Sequence, residues 1–84
     1  MRITDLFEDE ISDLEKVSDN PFAIEDIDNP SLEVQLTAVK QNGYSIIDIA
    51  NPSLKVQLAA VRQNGYAIRY IKKPSLEVQL EAVR

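Results

Sequence analysis

A 22-residue period constrains this chain more than any other feature. Residues 51–72, N-P-S-L-K-V-Q-L-A-A-V-R-Q-N-G-Y-A-I-R-Y-I-K, align on residues 29–50 with fifteen of twenty-two positions identical. Pro74, Ser75 and Leu76, then Val78, Gln79 and Leu80, then Ala82 and Val83, continue the register. A period of this size marks a stacked array, because one short unit cannot bury its own apolar face. The units are 29–50, 51–72 and a half-unit at 73–84, preceded by 1–28. They make one small repeat domain.

Each full unit splits in two. The first half, 31–42 and 53–64, reads as a helix of about three turns, with Leu32, Val34, Leu36, Ala38 and Val39 as a wide apolar stripe. Ser recurs at 31, 53 and 75, whereas Asn29 and Asn51 become Lys73, so Ser is the expected N-cap. Glu33 and Glu77 suit the first turn; Lys40, Arg62 and Arg84 suit the last. Asn-Gly at 42–43 and 64–65 is expected to stop the helix through a left-handed glycine.

The second half, 44–50 and 66–72, is open to a short helix or a strand. What recurs is an aromatic residue at the start, then Ile two and five positions on, an i, i+3 step within Ile46 and Ile49. Position four of this half is Asp26, Asp48 and Tyr70, which breaks strict alternation and favours a helix, partly 3₁₀. The fold class expected is all-α, an α-solenoid of about 3.5 helix-pair repeats.

Residues 1–19 read as an amphipathic helix with Ile3, Leu6, Phe7, Ile11, Leu14 and Val17 on one face, and Thr4 or Asp5 at its start. By the same period Leu14 and Val17 match Leu36 and Val39, so 1–28 is a degenerate, charged copy. Terminal units need a polar outer face, which makes it a cap. At the other end Glu81 replaces Thr37 and Ala59, as expected if that side faces water and the array closes there.

Charge divides the same way. Residues 1–28 hold two Lys/Arg and ten Asp/Glu, 2 − 10 = −8, and residues 29–84 hold seven and four, 7 − 4 = +3. The chain has no Cys and no His, which removes disulfides, Cys/His metal sites, thiol nucleophiles and imidazole bases. No leader pattern and no membrane-length apolar run is seen, so a cytoplasmic location is expected. The segment D-I-D-N-P lacks the Gly turn and closing Glu of a calcium loop. No catalytic residues, cofactor or metal are expected.

The pattern P-S-x-x-V-Q-L-x-A-V-x-Q-N-G-Y-x-I, over 29–84 with a weaker echo at 9–28, resembles short A-V-x-Q-N-G helical repeats of uncharacterised proteins from bacteria and their viruses. More distantly it is similar to leucine-rich-variant and HEAT-type repeats. The resemblance implies helix pairs stacked in a right-handed superhelix. It implies no functional residues. The acidic first copy departs from the pattern in lacking Val-Gln-Leu.

Recurring letters are explained by stacking. Gln35, Gln57 and Gln79 suit solvent or inter-repeat hydrogen bonds, and Glu33, Lys55 and Glu77 alternate in sign so that stacked neighbours could pair. The varying positions are free to serve a partner: Ile47, Asp48, Arg69, Tyr70 and Lys72 form the candidate protein-binding set, with the Tyr/Arg/apolar mixture common in hot spots. A non-enzymatic protein-interaction module is the first functional expectation. The second is a small acidic inhibitor of the kind phages encode, covering another protein's basic nucleic-acid groove with Asp5, Glu8, Asp9, Asp13, Asp26 and Asp28. The third is a self-assembling unit whose −8 and +3 parts attract. Nucleic acid is not the expected partner of an acidic chain, since helix-dipole complementation explains the Lys40, Arg62, Arg84 row.

Overall fold

The computed structural model describes the backbone from Glu8 and the side chains from Glu10, through Arg84. Among these residues the chain is all-helical, without strands. Four α-helices, α1 (Glu8–Asp19), α2 (Leu32–Gln41), α3 (Leu54–Gln63) and α4 (Leu76–Ala82), alternate with three 3₁₀ helices, Pro21–Asp26, Gly43–Asp48 and Gly65–Tyr70. Each α-helix packs on the next in the chain, and the second and third 3₁₀ helices each wedge between their own α-helix and its successor. The expected cap at Thr4 or Asp5 and the apolar positions Ile3, Leu6 and Phe7 lie outside the described residues.

Local chemistry repeats with the sequence. Ser31, Ser53 and Ser75 cap α2, α3 and α4, each hydroxyl accepting from the amide three residues on, at 3.2, 3.4 and 3.3 Å. The Gln row is used inside each unit: Gln35, Gln57 and Gln79 donate to the carbonyls of Pro30, Pro52 and Pro74 at 2.9, 2.9 and 3.0 Å. That bond ties the entry loop to the first turn of the helix.

Asn-Gly acts differently from expectation. No glycine has a positive φ; Asn42 and Asn64 are extended (φ −151° and −154°) and serve twice. Their amides close the α-helix, and their side chains accept from Tyr44 and Tyr66 to open the 3₁₀ helix. Glycine is required by a close approach instead. A Cβ on Gly43 would sit 2.5 Å from the Ala60 carbonyl oxygen, and one on Gly65 would collide with that of Ala82. The left-handed positions are Asn29, Asn51 and Lys73, with φ of 47°, 48° and 50°. Asn recurs there because it tolerates this region better than most residues.

The core is a ladder of small and branched side chains: Val17, Ile24, Val34, Val39, Ile46, Val56, Val61 and Val78, all buried. The one buried polar side chain among the described residues, Ser45, donates to the Asn42 carbonyl at 2.9 Å. Four expectations fail. Leu32 lies outside the stripe, exposed at the first turn like Leu54 and Leu76, and Ile11 is likewise exposed. Arg84 falls beyond α4, which ends at Ala82, so the cation row at helix ends holds for Lys40 and Arg62 alone. Glu33, Lys55 and Glu77 do not pair with one another; the ion pairs among the described residues are Arg62–Glu81 (3.2 Å) and Arg84–Glu81 (3.9 Å). Glu81 therefore turns back toward α3, half-buried, rather than out to water.

Candidate interaction surface

The second and third 3₁₀ helices lie side by side, and their edges define a groove. Their contact is fixed by Tyr44 and Tyr70, which meet edge to face with ring centroids 5.8 Å apart and planes at 82°. Held in this way, Tyr70 forms one wall. Ile47, 57% exposed, and Lys72 line the same groove. The floor is Ile46, Ile49, Pro52 and Gln57. Gln57 is held by its bond to Pro52, so the floor is pinned from within the unit.

One period earlier the same groove recurs, lined by Ile27, Asp28, Pro30, Gln35, Asp48 and Ile49. Its volume is about 350 Å³ against about 540 Å³ for the later one. The backbone frame is shared, and the chemistry differs. Asp28 and Asp48 make the earlier groove acidic where Ala50 and Tyr70 stand in the later. The difference comes wholly from positions at which the copies diverge.

A third hollow lies between α1 and the loop into α2, bordered by Glu10, Asp13, Lys16, Asp26, Asp28 and Ser31. Ser31 donates to Glu10 at 3.1 Å while its hydroxyl also caps α2, which joins the acidic unit to its neighbour. Gln41 adds a second tie, donating to the Val17 carbonyl at 2.9 Å.

Three of the five candidate partner residues, Ile47, Tyr70 and Lys72, therefore share one groove. Asp48 belongs to the earlier groove, and Arg69 is exposed outside both. Among the acidic candidates, Asp13, Asp26 and Asp28 converge on one hollow together with Glu10. Asp5 and the side chains of Glu8 and Asp9 lie outside the described residues. Two groups escaped sequence reasoning. Glu10 is outside the acidic set read from the sequence, although it lines the same hollow as Asp13, Asp26 and Asp28. Leu80 and Val83, exposed beyond half their surface, hold the register of Leu36 and Val39 and read with them as core; Tyr66, also exposed, is not singled out.

No helix among the described residues is long and apolar enough to cross a membrane. Compared with protein-family models, with curated proteins and with solved structures, the chain gives no match.

Proposed function

We propose that the chain is a right-handed α-solenoid of about 3.5 helix-pair repeats that acts as a non-enzymatic protein-interaction module. Its ligand is an extended peptide segment carrying an apolar side chain next to a carboxylate. One observation carries the reading: the positions that depart from the repeat, Ile47, Tyr70 and Lys72, line a single groove whose floor is made by positions that do not depart. An exposed apolar residue, a tyrosine fixed by packing and a lysine in the same groove form a mixture suited to a hot spot. Lys72 and the adjacent Lys73 supply the charge that favours an acidic ligand.

The test is selection of displayed random peptides on the protein, followed by binding to variants. Selected peptides should combine an aromatic or aliphatic residue with Asp or Glu. Ile47→Asp with Tyr70→Ala should abolish binding, and Lys72→Glu should weaken it. Undiminished binding by the double variant would sink the reading.

The convergence of Glu10, Asp13, Asp26 and Asp28 on one hollow supports a second reading, an acidic inhibitor that covers a basic nucleic-acid-binding groove of another protein. Under that reading peptides rich in Lys and Arg are selected instead, and Asp13→Lys with Asp26→Lys removes their binding.

A further inference from the structure

The two grooves and the hollow beside α1 form one track along the stack. Every residue that borders the earlier groove has its equivalent, 22 positions on, in the border of the later one. Ile49 and Ala50 border both grooves. Ile27, Asp28 and Asn29 border the earlier groove and the hollow alike. Because neighbouring sites share a wall, a ligand in the Tyr70 groove runs directly into the Asp48 groove.

Charge changes sign along this track at equivalent positions. Asp28, Ala50 and Lys72 hold one register position in successive units, and Asp26, Asp48 and Tyr70 hold another. Between them Ile27, Ile49 and Ile71 do not vary. The ion pairs among the described residues join Glu81 to Arg62 and Arg84, and include none of the track's charges.

Packed neighbouring helices stand about 8–10 Å apart, and a polyproline-II segment advances about 9 Å in each three-residue turn. Such a segment turns one side chain per unit toward the same side. Gln35 and Gln57 offer it one amide per unit. Each gives an N–H to its proline carbonyl, and neither carboxamide oxygen accepts a bond among the described residues.

Resting on the peptide-groove reading above, we propose that the ligand is a bipolar polyproline-II segment that spans both grooves. Its Lys or Arg lies in the groove that Asp28 and Asp48 border. Its apolar side chain, three residues away, lies against Ile47 and Tyr70, and the neighbouring carboxylate meets Lys72. The order of charge selects this occupant. A uniformly acidic peptide sets carboxylates against Asp28 and Asp48, and a uniformly basic one sets an ammonium beside Lys72.

Four labelled peptides test the order by fluorescence anisotropy. R-P-P-L-E and its reversed sequence E-L-P-P-R carry the proposed order, one for each direction of the backbone along the track. E-P-P-L-R and R-L-P-P-E exchange the charges. The better of the first pair should bind about 10-fold tighter than either of the second. Asp28→Asn with Asp48→Asn should erase most of that preference without changing helical circular dichroism. Replacing both prolines of the better peptide by glycine should weaken it about fivefold, and no loss overturns the polyproline-II conformation. Equal affinity for the two pairs overturns the proposal, as does a preference untouched by Asp28→Asn with Asp48→Asn. If Ile47→Asp with Tyr70→Ala still abolishes binding in those cases, the peptide groove stands and only its extension into the earlier groove falls. Binding by none of the four at millimolar concentration also overturns the bipolar ligand, and selection of displayed peptides then decides the groove reading by itself.

Discussion

Val39 and Val83 hold the same register position in their units and carry the same side chain, yet one is fully buried and the other 82% exposed. Ser31 and Ser75 cap their helices with dihedral angles within about 2°, but Val39 lies inside α2, whereas Val83 is the residue at which α4 ends (φ −95°, ψ 1°). What separates them is the helix end and the number of packed neighbours: α2 packs on α1, α3 and two 3₁₀ helices, whereas α4 packs on α3 and the third 3₁₀ helix. The α1 unit makes the opposite contrast, since its preceding-side positions have changed to Ser12 and Lys16 while Leu14 and Val17 still face α2. A repeated letter therefore states what a position needs when stacked. It does not state that the stacking occurs.

Three pairs of substitutions, each at equivalent positions of two units, sharpen the comparison. The largest effect belongs to Gly43→Ala, because its new methyl meets backbone, the Ala60 carbonyl, and α3 is held on both sides. We expect a loss of about 3 kcal/mol in urea unfolding. Gly65→Ala should cost less, since α4 packs on one side alone and can shift. Equal costs at the two glycines would show that the terminal helix is as constrained as the internal one.

Next is the valine pair itself. Val39→Ala should destabilise by about 2 kcal/mol through lost burial and the cavity left behind. Val83→Ala should stay within about 0.5 kcal/mol when measured on dilute protein. A comparable loss at Val83 under those conditions would mean that its side chain is covered within the monomer.

The smallest effect concerns the left-handed turn. Lys73→Gly should stabilise by about 1 kcal/mol in thermal unfolding, because φ of 50° costs a lysine more than a glycine. Asn51→Gly, with φ of 48°, should change stability by only a few tenths, since Asn already suits that region. The two turns then differ by residue type and not by geometry. If Lys73→Gly destabilises, the lysine stem contributes packing that outweighs its backbone cost.

Much of this was legible in the letters. Comparing copies with one another separated the residues that build the stack from those free to vary. It puts Ile47, Tyr70 and Lys72 among the latter. It could not bring the three together while leaving Asp48 and Arg69 out, because the first three are joined across two units by the Tyr44–Tyr70 contact. Likewise the acidic residues were visible as a composition bias, but only the fold of α1 against the loop into α2 gathers Glu10, Asp13, Asp26 and Asp28.

By itself the sequence determined the period, the helical class and the serine caps, because each depends on residues near in the chain. Tertiary structure decided the rest. Asn-Gly looked like a helix stop of the left-handed kind; the glycine is there because the next helix's carbonyl lies against it. Glu81 looked like a residue turned to water, and Arg62 one period back draws it inward. Leu80 and Val83 looked like core, and what leaves them exposed is the absence of a covering unit among the described residues. In each case the deciding contact lies about 20 residues away or in a missing neighbour. Local propensity cannot report either one.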